Sequence, residues 1–299
     1  MNTTLRVFVE VVERGNFSRA AEALYMTQPA VSQYIKNLER DMGVQVLDRS
    51  NKVIRLTKEG RIVYEHAKEM IGHFETMHHL LHDLEHEPKG ELSIGASYTF
   101  GEYVLPRVIA QLLKEYPGIQ PSITIGNTQE IAEEVADMKL DIGIVEGDVD
   151  DAQLQVESLA ADRMCIIASH DHPLAQEEHV KASQLEEETW IIREKGSGTR
   201  EATEKLFEQM RIDPTHRMEF GSTQIIKESV EAGLGVTLLS LWAIRKELSM
   251  HTLATMEVEK GTLDRDFSIL LKDKPMHTRS TLVLKEVLKR FVNNRHSSK

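Results

Sequence analysis

The chain has 299 residues, of which 40% are hydrophobic and 28% are charged, and its formal net charge is −12 at pH 7. This length predicts about two globular domains, and no apolar run approaches the roughly 18 residues that would span a bilayer. The first residues lack the pattern of a secretory signal peptide and the single cysteine, Cys165, cannot form an internal disulfide, so we expect a cytoplasmic protein with no membrane partner.

The charges are unevenly distributed along the chain. Residues 1–61 contain ten Lys and Arg against seven Asp and Glu, an excess of three positive charges. Residues 62–299 contain the other 26 and 41, an excess of 15 negative charges. This asymmetry permits phosphate contacts by the N-terminal part, while the remainder repels polyanions.

Two short helices are predicted first. Apolar residues at helical spacing predict a helix over residues 3–14, which Gly15 ends. A second helix is predicted through Leu24, with either Asn16 or Ser18 as its cap. Small alanines on its inner face would let two helix backbones approach closely.

A third helix is predicted to follow Thr27, its N-cap, and to extend to about Met42, with Pro29 in the first turn. Its apolar residues share one face: Val31, Ile35, Leu38 and Met42. The opposite face has short hydrogen-bonding groups near its N-terminus and longer cations behind them: Gln28, Pro29, Ser32, Gln33, Lys36 and Arg40. This order suits a recognition helix in the major groove of DNA, and a merely solvated polar face is the alternative.

Residues 45–57 predict a short β-hairpin, or wing, because β-branched residues flank a polar tip. Arg49 and Lys52 at this tip would reach a phosphate backbone or a minor groove. The hairpin and the tight spacing of the preceding helices together favour DNA binding over a solvated face.

This N-terminal stretch resembles, without gaps, the winged helix-turn-helix of the LysR-type transcriptional regulators. The resemblance rests on Phe8, Ala20, Ala21, Leu24, Gln28 to Ser32, Leu38, Glu39, Gly43, Arg49, Leu56, Thr57 and Gly60. Leu47 stands where the family usually has Phe, and Asn16 where Ser is common. The resemblance implies a DNA-binding domain over residues 1–58. The residues that we assign to DNA contacts are Ser18, Thr27, Gln28, Pro29, Ser32, Gln33, Lys36, Arg40, Arg49 and Lys52.

A long helix is predicted next, from Lys58 to about Glu87, because this stretch has no proline. Its apolar residues alternate steps of four and three: Val63, Ala67, Met70, Phe74, Met77, Leu81 and Leu84. So narrow a stripe favours pairing with a second copy over packing on its own domain. The resemblance implies the same, a linker and dimerisation helix over residues 59–88. His78, His82 and His86 share one face, but no carboxylate or cysteine completes a ligand set, so we expect no metal there.

The remaining residues, 89–299, predict an α/β domain of two lobes with a cleft between them. We expect one lobe over residues 91–160 and 266–299, and the other over residues 161–265. The predicted strands are 91–96, 122–126, 141–145, 164–168, 190–193, 217–220, 236–239 and 266–271, and the predicted helices include 103–116, 128–138 and 278–293. The resemblance extends more loosely through this part and implies the family's periplasmic-binding-protein-like effector domain.

Polar residues that follow strands or open helices are candidates for ligand contacts, because ligands of α/β domains bind there. They are Ser97, Thr99, Thr128, Gln129 and Glu146 from one lobe and Ser197, Gly198, Thr199 and Arg200 from the other, with Ser222 and Thr223 at a further helix start. Each alone could be a helix cap, but together they resemble the family's effector pocket. Arg200 would suit a carboxylate or an oxyanion, whereas Glu146 must pair with Arg200 in the empty site, move aside or meet an ammonium group. We therefore expect a small anion or zwitterion.

The sequence thus predicts a LysR-type activator of transcription that binds promoter DNA as a dimer or tetramer, responds to a small effector and contacts RNA polymerase. The segment REKGSGTR, residues 193–200, is similar to the branch with activators of sulfur-assimilation and carbon-fixation genes. The two rival classes are an enzyme and a transport-type solute receptor. The chain has none of the common catalytic or nucleotide-binding motifs, and a receptor has no use for a wing, so we expect no catalytic residues and no cofactor.

Overall fold

A computed structural model describes residues 2–48, 54–83, 88–258 and 261–296. The chain divides into two compact units, residues 1–85 and 86–299, which we call the head and the body. No helix among the described residues is both long and apolar enough to cross a membrane.

The head is a bundle of short helices followed by a small hairpin and one long helix. Its elements are α1 Asn2–Arg14, α2 Phe17–Ala23, α3 Gln28–Met42, β1 Leu47–Asp48, β2 Arg55–Leu56 and α4 Lys58–Asp83. Asn16 caps α2 by accepting hydrogen bonds from the backbone N–H groups of Ser18 and Arg19, at 2.8 and 3.1 Å. β1 and β2 pair antiparallel, with Leu47 opposite Leu56.

The apolar faces of α1, α2 and α3 form the core of the head. Phe8, Ala20, Val31 and Ile35 are fully buried there, as the predicted periodicity requires. Met42 was also predicted on the buried face of α3, but it is 51% exposed because α3 ends there and Gly43 turns the chain in the left-handed conformation.

Long strands and short helices alternate in the body. Its elements are β3 Gly90–Ser97, α5 Tyr98–Tyr103, α6 Leu105–Glu115, β4 Ile119–Gly126, α7 Thr128–Ala136, β5 Ile142–Glu146, β6 Leu154–Ser169, a 3₁₀ turn Pro173–Gln176, α8 Ala182–Glu186, β7 Trp190–Arg193, α9 Gly198–Met210, β8 Arg217–Phe220, α10 Thr223–Glu231, β9 Thr237–Ser240, α11 Leu241–Met250, β10 Leu253–Thr255, β11 Thr262–Lys272 and α12 Arg279–His296. The helix predicted over residues 103–116 is α6, with Pro106 in its first turn, and the short helix α5 before it was not predicted. The strand predicted over residues 164–168 is the end of the much longer β6.

The strand order in the main sheet is β10, β6, β11, β5, β3, β4, with β9 also paired to β6. β3, β4 and β5 run parallel, whereas β11 is antiparallel to both β5 and β6. β7 and β8 form a separate parallel pair. The long strands β6 and β11 therefore connect the two parts of the body, and Asp162 lies directly opposite Arg265 in their register.

Separate hydrophobic clusters define two lobes. Lobe 1 consists of β3–β5, α5–α7, α12 and the adjoining ends of β6 and β11, and packs around Leu92, Phe100 and Leu284. Lobe 2 holds β7–β10, α8–α11 and the other ends of β6 and β11, and packs around residues that include Trp190 and Leu206. The carboxyl ends of β3 and β5 in lobe 1 consequently meet the start of α9 from lobe 2.

Candidate functional site

The polar face of α3 lies away from the core of the head. Side chains that are exposed there, or next to it on α2 and the connecting turn, are Ser18, Thr27, Gln28, Pro29, Gln33, Lys36 and Arg40, while Ser32 is half-buried. Thr27 is the N-cap residue of α3, but within the described structure its side chain makes no capping hydrogen bond. The structure thus confirms Thr27 as the N-cap residue, but without the side-chain hydrogen bond that such a residue usually accepts.

Two of these side chains are oriented by neighbours on the same helix. The amide nitrogen of Gln33 donates to the amide oxygen of Asn37 at 3.0 Å. The guanidinium of Arg40 lies 3.4 Å from the carboxylate of Asp41. These exposed contacts hold the side chains along the helix while leaving them accessible to a duplex.

Tyr25 in the turn between α2 and α3 is 98% exposed and has a φ of 52°, so its ring projects into solvent just before α3 begins. Sequence reasoning did not single it out, since an isolated aromatic residue in a turn has no periodicity to mark it. Arg49 and Lys52, predicted at the tip of the wing, lie outside the described residues.

The apolar stripe of α4 divides into two parts. Val63 and Ala67 pack in the core of the head, and the Tyr64 hydroxyl donates to Glu13 of α1 at 3.2 Å. Farther along, Met70, Phe74 and Met77 are 45%, 39% and 45% exposed. The first two residues of the predicted seam therefore anchor α4 to its own domain, and the next three present an apolar surface. The rest of the predicted stripe and the histidine face lie outside the described side chains: Leu81 and Leu84, and His78, His82 and His86.

In the body, the predicted effector residues converge from both lobes, in two layers. The outer layer surrounds a cavity of about 590 Å³ and includes Thr128, Gln129, Ser197, Gly198 and Arg200. The inner layer is a buried polar network that contains Ser97, Thr99, Glu146 and Thr199. The last two candidates lie elsewhere, since Ser222 caps α10 and Thr223 accepts a hydrogen bond from Arg193.

The lobes touch where these layers meet. The backbone N–H of Gly198 donates to the Thr128 hydroxyl at 3.3 Å, and that hydroxyl donates to the Glu146 carbonyl at 2.7 Å. The N–H of Gln129 donates to the carbonyl of Gly196 at 3.1 Å. A Cβ on Gly198 would lie 2.0 Å from the Glu146 carbonyl oxygen, so this close approach requires glycine.

Helix starts supply part of the polarity. Ser197 caps α9 by accepting a hydrogen bond from the Thr199 N–H at 3.2 Å. Asn127, rather than Thr128, caps α7, so the Thr128 hydroxyl is engaged between the lobes instead. Two N-termini, of α7 and α9, therefore converge at the cleft, and the positive ends of their dipoles favour an anion.

The cations occupy different places from those expected. Arg200 is bound in ion pairs with Glu204 at 2.6 Å and Glu219 at 3.0 Å, at one side of the cavity. Glu146 meets a different arginine, Arg265, whose Nη2 lies 3.8 Å from its Oε1. Arg265 was not predicted as a site residue, because it lies in the middle of a strand far along the chain and reaches the cleft through the register of β11 with β6.

Burial changes the acidity of this inner network. Glu146 accepts a hydrogen bond from the Ser97 hydroxyl, and its burial raises its pKa, although the nearby Arg265 acts in the opposite direction. Burial likewise raises the pKa of Asp162, against the effect of Arg265. Burial also raises the pKa of the Cys165 thiol to about 12, which leaves it protonated at neutral pH and unsuited to nucleophilic chemistry. No cluster of potential metal ligands occurs among the described side chains.

A second buried arginine lies beside the network. Arg193 is 1% exposed, and it forms two hydrogen bonds of 2.6 Å to the carboxylate of Glu194. Its guanidinium carbon stacks 4.4 Å from the centroid of the Tyr98 ring, and it donates to the Thr223 hydroxyl at 3.4 Å. The charge of Arg193 is therefore neutralised locally, whereas Arg265 faces the centre of the network.

Comparison with known proteins connects both parts of the chain to one family. Residues 3–61 match the model of the bacterial regulatory helix-turn-helix protein, lysR family, and residues 85–292 match the LysR substrate binding domain. The chain is 38% identical over 285 residues to the HTH-type transcriptional regulator CysL of Bacillus subtilis, covering 95% of each protein. It is 34% identical over 272 residues to the HTH-type transcriptional activator CmpR of Synechocystis sp., covering 90% of this chain and 89% of that one.

Among solved structures, the body is similar to the regulatory domain of CcmR from Synechocystis in complex with 2-PG. The TM-score is 0.64 at 27% identity, and the match covers 69% of this chain and 99% of that one. The protein belongs to the family of LysR-type transcriptional regulators. It is a DNA-binding regulator with an effector-binding domain, and its relatives are regulators rather than enzymes. The predicted fold class and function are thereby confirmed.

Proposed function

We propose that this LysR-type regulator reads promoter DNA through α3 and changes its activity when a small acidic metabolite binds between the lobes of its body. The observation that carries the proposal is the convergence of hydroxyl groups and two helix N-termini from opposite lobes around a cavity of about 590 Å³. A ligand of a few heavy atoms fits this volume, and closing or opening of the lobes would follow its binding.

The likeness to CysL and to a RuBisCO operon transcriptional regulator supports a link to sulfur metabolism or carbon fixation. The likeness to the activator CmpR supports a role as activator, and the 2-PG complex of CcmR supports a small anionic effector. The exposed apolar surface of Met70, Phe74 and Met77 supports self-association through α4, as a dimer or a tetramer. We further propose a cytoplasmic location and contact with RNA polymerase, as befits an activator.

For DNA reading, we assign Gln28, Ser32 and Gln33 to base edges and Lys36 and Arg40 to phosphates. The predicted wing residues Arg49 and Lys52 would add contacts to the backbone or the minor groove. An amide at the N-terminal half of a recognition helix is suited to adenine, which offers a donor and an acceptor in the major groove.

Mobility-shift assays on the DNA upstream of the protein's own gene test this assignment. Gln33→Ala should relax base preference at one position, at a cost of about 1–3 kcal/mol for the preferred site. Gln111→Ala is a matched control, because Gln111 also donates to a residue four positions on, Glu115, at 3.0 Å, but lies in the body. If Gln33→Ala kept the base preference of the wild type, the assignment of Gln33 to a base contact would be wrong.

The effector is tested on the full-length protein by calorimetric titration with sulfate, phosphate and 2-PG, followed by the same mobility shift. We expect at least one of these acids to bind and to change the DNA complex. If none of them bound while the protein still bound DNA, the proposed effector class would be wrong and the DNA-binding assignment would stand.

A further inference from the structure

Arg265 joins the two lobes by donating hydrogen bonds to one threonine hydroxyl from each lobe. Its side chain is buried, with Nε donating to the Asp162 carboxylate at 2.9 Å. Nη1 donates to the hydroxyl of Thr199 from lobe 2 at 3.0 Å, and Nη2 donates to the hydroxyl of Thr99 from lobe 1 at 3.2 Å. Hydroxyl oxygens are weaker partners for a guanidinium than the oxygens of an acid, because an acid adds a negative charge on the acceptor and can take two parallel N–H···O bonds. Both hydroxyls are therefore exchangeable for the oxygens of an acidic ligand.

The second carboxylate in the network conflicts with such a ligand. Glu146 lies 3.8 Å from Arg265, is 1% exposed and is hydrogen-bonded by Ser97. Asp162 already neutralises Arg265 across the strands, and Ser240 donates to Asp162 at 2.5 Å. An ionised Glu146 therefore gives the inner network an excess of negative charge before any anion arrives.

The groups that face Glu146 come from every neighbouring element. They are Ser97 from β3, Thr99 from α5, Thr128 from α7, Gly198 from α9, Asp162 from β6, Arg193 from β7 and Arg265 from β11. The charged members are Asp162, Arg193 and Arg265, and Arg193 is already paired with Glu194. Arg265 is thus the cation on which an anion near Glu146 depends.

The mouth of the cleft increases this excess of negative charge. Six carboxylates line the outer cavity, together with the cations Lys195 and Arg200: Glu133, Asp148, Asp150, Asp151, Glu201 and Glu204. Lys205 bridges the lobes at the rim, 2.7 Å from Asp148 and 2.8 Å from Glu201. A fully ionised acid therefore meets repulsion at the mouth as well as at Glu146.

We propose that Arg265 binds the acidic group of the effector and that Glu146 takes up a proton from solvent when it does. The inference rests on the proposed effector site between the lobes. The ligand's oxygens replace the hydroxyls of Thr99 and Thr199 at Arg265, and the protonated Glu146 becomes a hydrogen-bond donor to the ligand instead of a repelling charge. Burial already raises the pKa of Glu146, so protonating it costs less than protonating an exposed glutamate.

Proton uptake is measurable by titration calorimetry of the full chain in two buffers that differ in ionisation enthalpy. Sulfate is one probe, because it carries no titratable proton between about pH 6 and 8, and 2-PG is the other. We expect sulfate binding to consume up to one proton and to weaken by about tenfold for each pH unit above the pKa of Glu146 in the empty cleft. For 2-PG, whose own phosphate titrates, the quantity to compare is the difference between the wild type and Glu146→Gln.

Glu146→Gln keeps the size and the hydrogen bond from Ser97 but removes the charge. We expect it to bind the fully ionised acids more tightly than the wild type at about pH 8, with little dependence on pH. A residue that only supported the fold would not give tighter binding together with a flat pH profile. The control is Glu201→Gln at the mouth, whose pH profile should retain the slope of the wild type.

Arg265→Lys retains the positive charge opposite Asp162 but loses the planar fork that spans both lobes. We expect it to lose affinity for the acids by at least about tenfold, whereas Arg163→Lys, an exposed arginine on β6 paired with Asp264, should bind as the wild type does. Binding by Arg265→Lys as tight as the wild type, or sulfate binding without proton uptake, would overturn this inference alone. Failure of sulfate, phosphate and 2-PG alike to bind the wild type would overturn it together with the proposed effector class.

Discussion

The head and the body are both proposed to bind anions, yet they place their charges in opposite ways. On α3 the cations are exposed at the surface, where Lys36 and Arg40 can meet a phosphate backbone without being dehydrated beforehand. In the body the cations Arg193 and Arg265 are buried, and each has a carboxylate partner. A surface of the first kind suits a large polyanion, whose affinity depends on salt, whereas the second suits a small acid that must be desolvated.

This comparison predicts that substituting a buried charged residue of the body lowers folding stability, whereas substituting an exposed cation of α3 changes DNA binding. The largest effect is expected for Lys227→Met. Lys227 of α10 is 3% exposed and lies 2.5 Å from Glu247 of α11, and its ammonium is 4.8 Å from the centroid of the Tyr103 ring. Removing one partner leaves Glu247 buried and uncompensated, so we expect a loss of about 3–5 kcal/mol in the free energy of unfolding.

Denaturant unfolding of the purified protein measures this loss. Lys205→Met is the matched control, because Lys205 also pairs with carboxylates but is 49% exposed, and we expect it to cost about 0–1 kcal/mol. Similar values for the two variants would contradict the contrast between buried and exposed charges.

A smaller effect is expected for Gly198→Ala at the contact between the lobes. The added Cβ would lie 2.0 Å from the Glu146 carbonyl oxygen, so the lobes must separate locally, at a cost of about 1–3 kcal/mol. We expect effector binding to be lost in titration calorimetry while the head still binds DNA. Gly221→Ala, where a Cβ meets nothing within 4 Å, should leave both properties unchanged. Retained effector affinity in Gly198→Ala would show that this contact is not part of the site.

For the head, we expect Lys36→Gln to weaken DNA binding to a similar extent for all sequences. The slope of log affinity against log salt should fall in magnitude by about 1, because one phosphate contact is lost. Thermal unfolding should be unaltered, since Lys36 is exposed. Arg14→Gln removes an exposed cation at the end of α1, outside the predicted contact face, and should leave the salt slope as it is. If Lys36→Gln changed the melting temperature but not the salt slope, Lys36 would contribute to the fold and not to DNA binding, contrary to the contrast between head and body.

The smallest effect concerns an exposed carboxylate of the body. Ion pairing with Lys285, at 2.6 Å, and with Lys289 lowers the pKa of Glu157. A lowered pKa stabilises the fold above the unfolded-state value of about 4.3, and this contribution disappears as the pH falls through the folded-state pKa. Because the side chain is 38% exposed, Glu157→Gln should cost less than about 1 kcal/mol at pH 7 and nothing in strong acid. Unfolding measurements across this pH range would detect the difference.

The sequence predicted the head and the body to different depths. The buried face of α3 followed from helical spacing, and Val31, Ile35 and Leu38 are buried as expected. The prediction was wrong at Met42, because a helix end is set by the turn that follows it. The first half of β6 was not predicted, because buried and exposed residues alternate irregularly there. The prediction covered only the apolar run near Ile166.

Arg265 shows most directly what sequence patterns could not supply. Its partner Asp162 is 103 positions away, and the pair exists because β6 and β11 align these residues across the sheet. Arg200, in contrast, stood in a recognisable segment and was assigned to the anion. The structure places it against Glu204, one helical turn farther along α9, and against Glu219 on β8. Local spacing revealed which residues open a helix, but only the sheet register could reveal which charges meet.

The pairing of β6 with β11 has an irregularity with a mechanical consequence. Ala160 is opposite Phe267, whereas Ser158 is opposite Ser268, so the register shifts at Leu159. A β-bulge increases local twist and weakens the ladder at that position. Because these two strands run through both lobes, any hinge motion of the body is expected to bend there, close to Arg265, and the swing of one lobe would then act directly on its hydrogen bonds to Thr99 and Thr199.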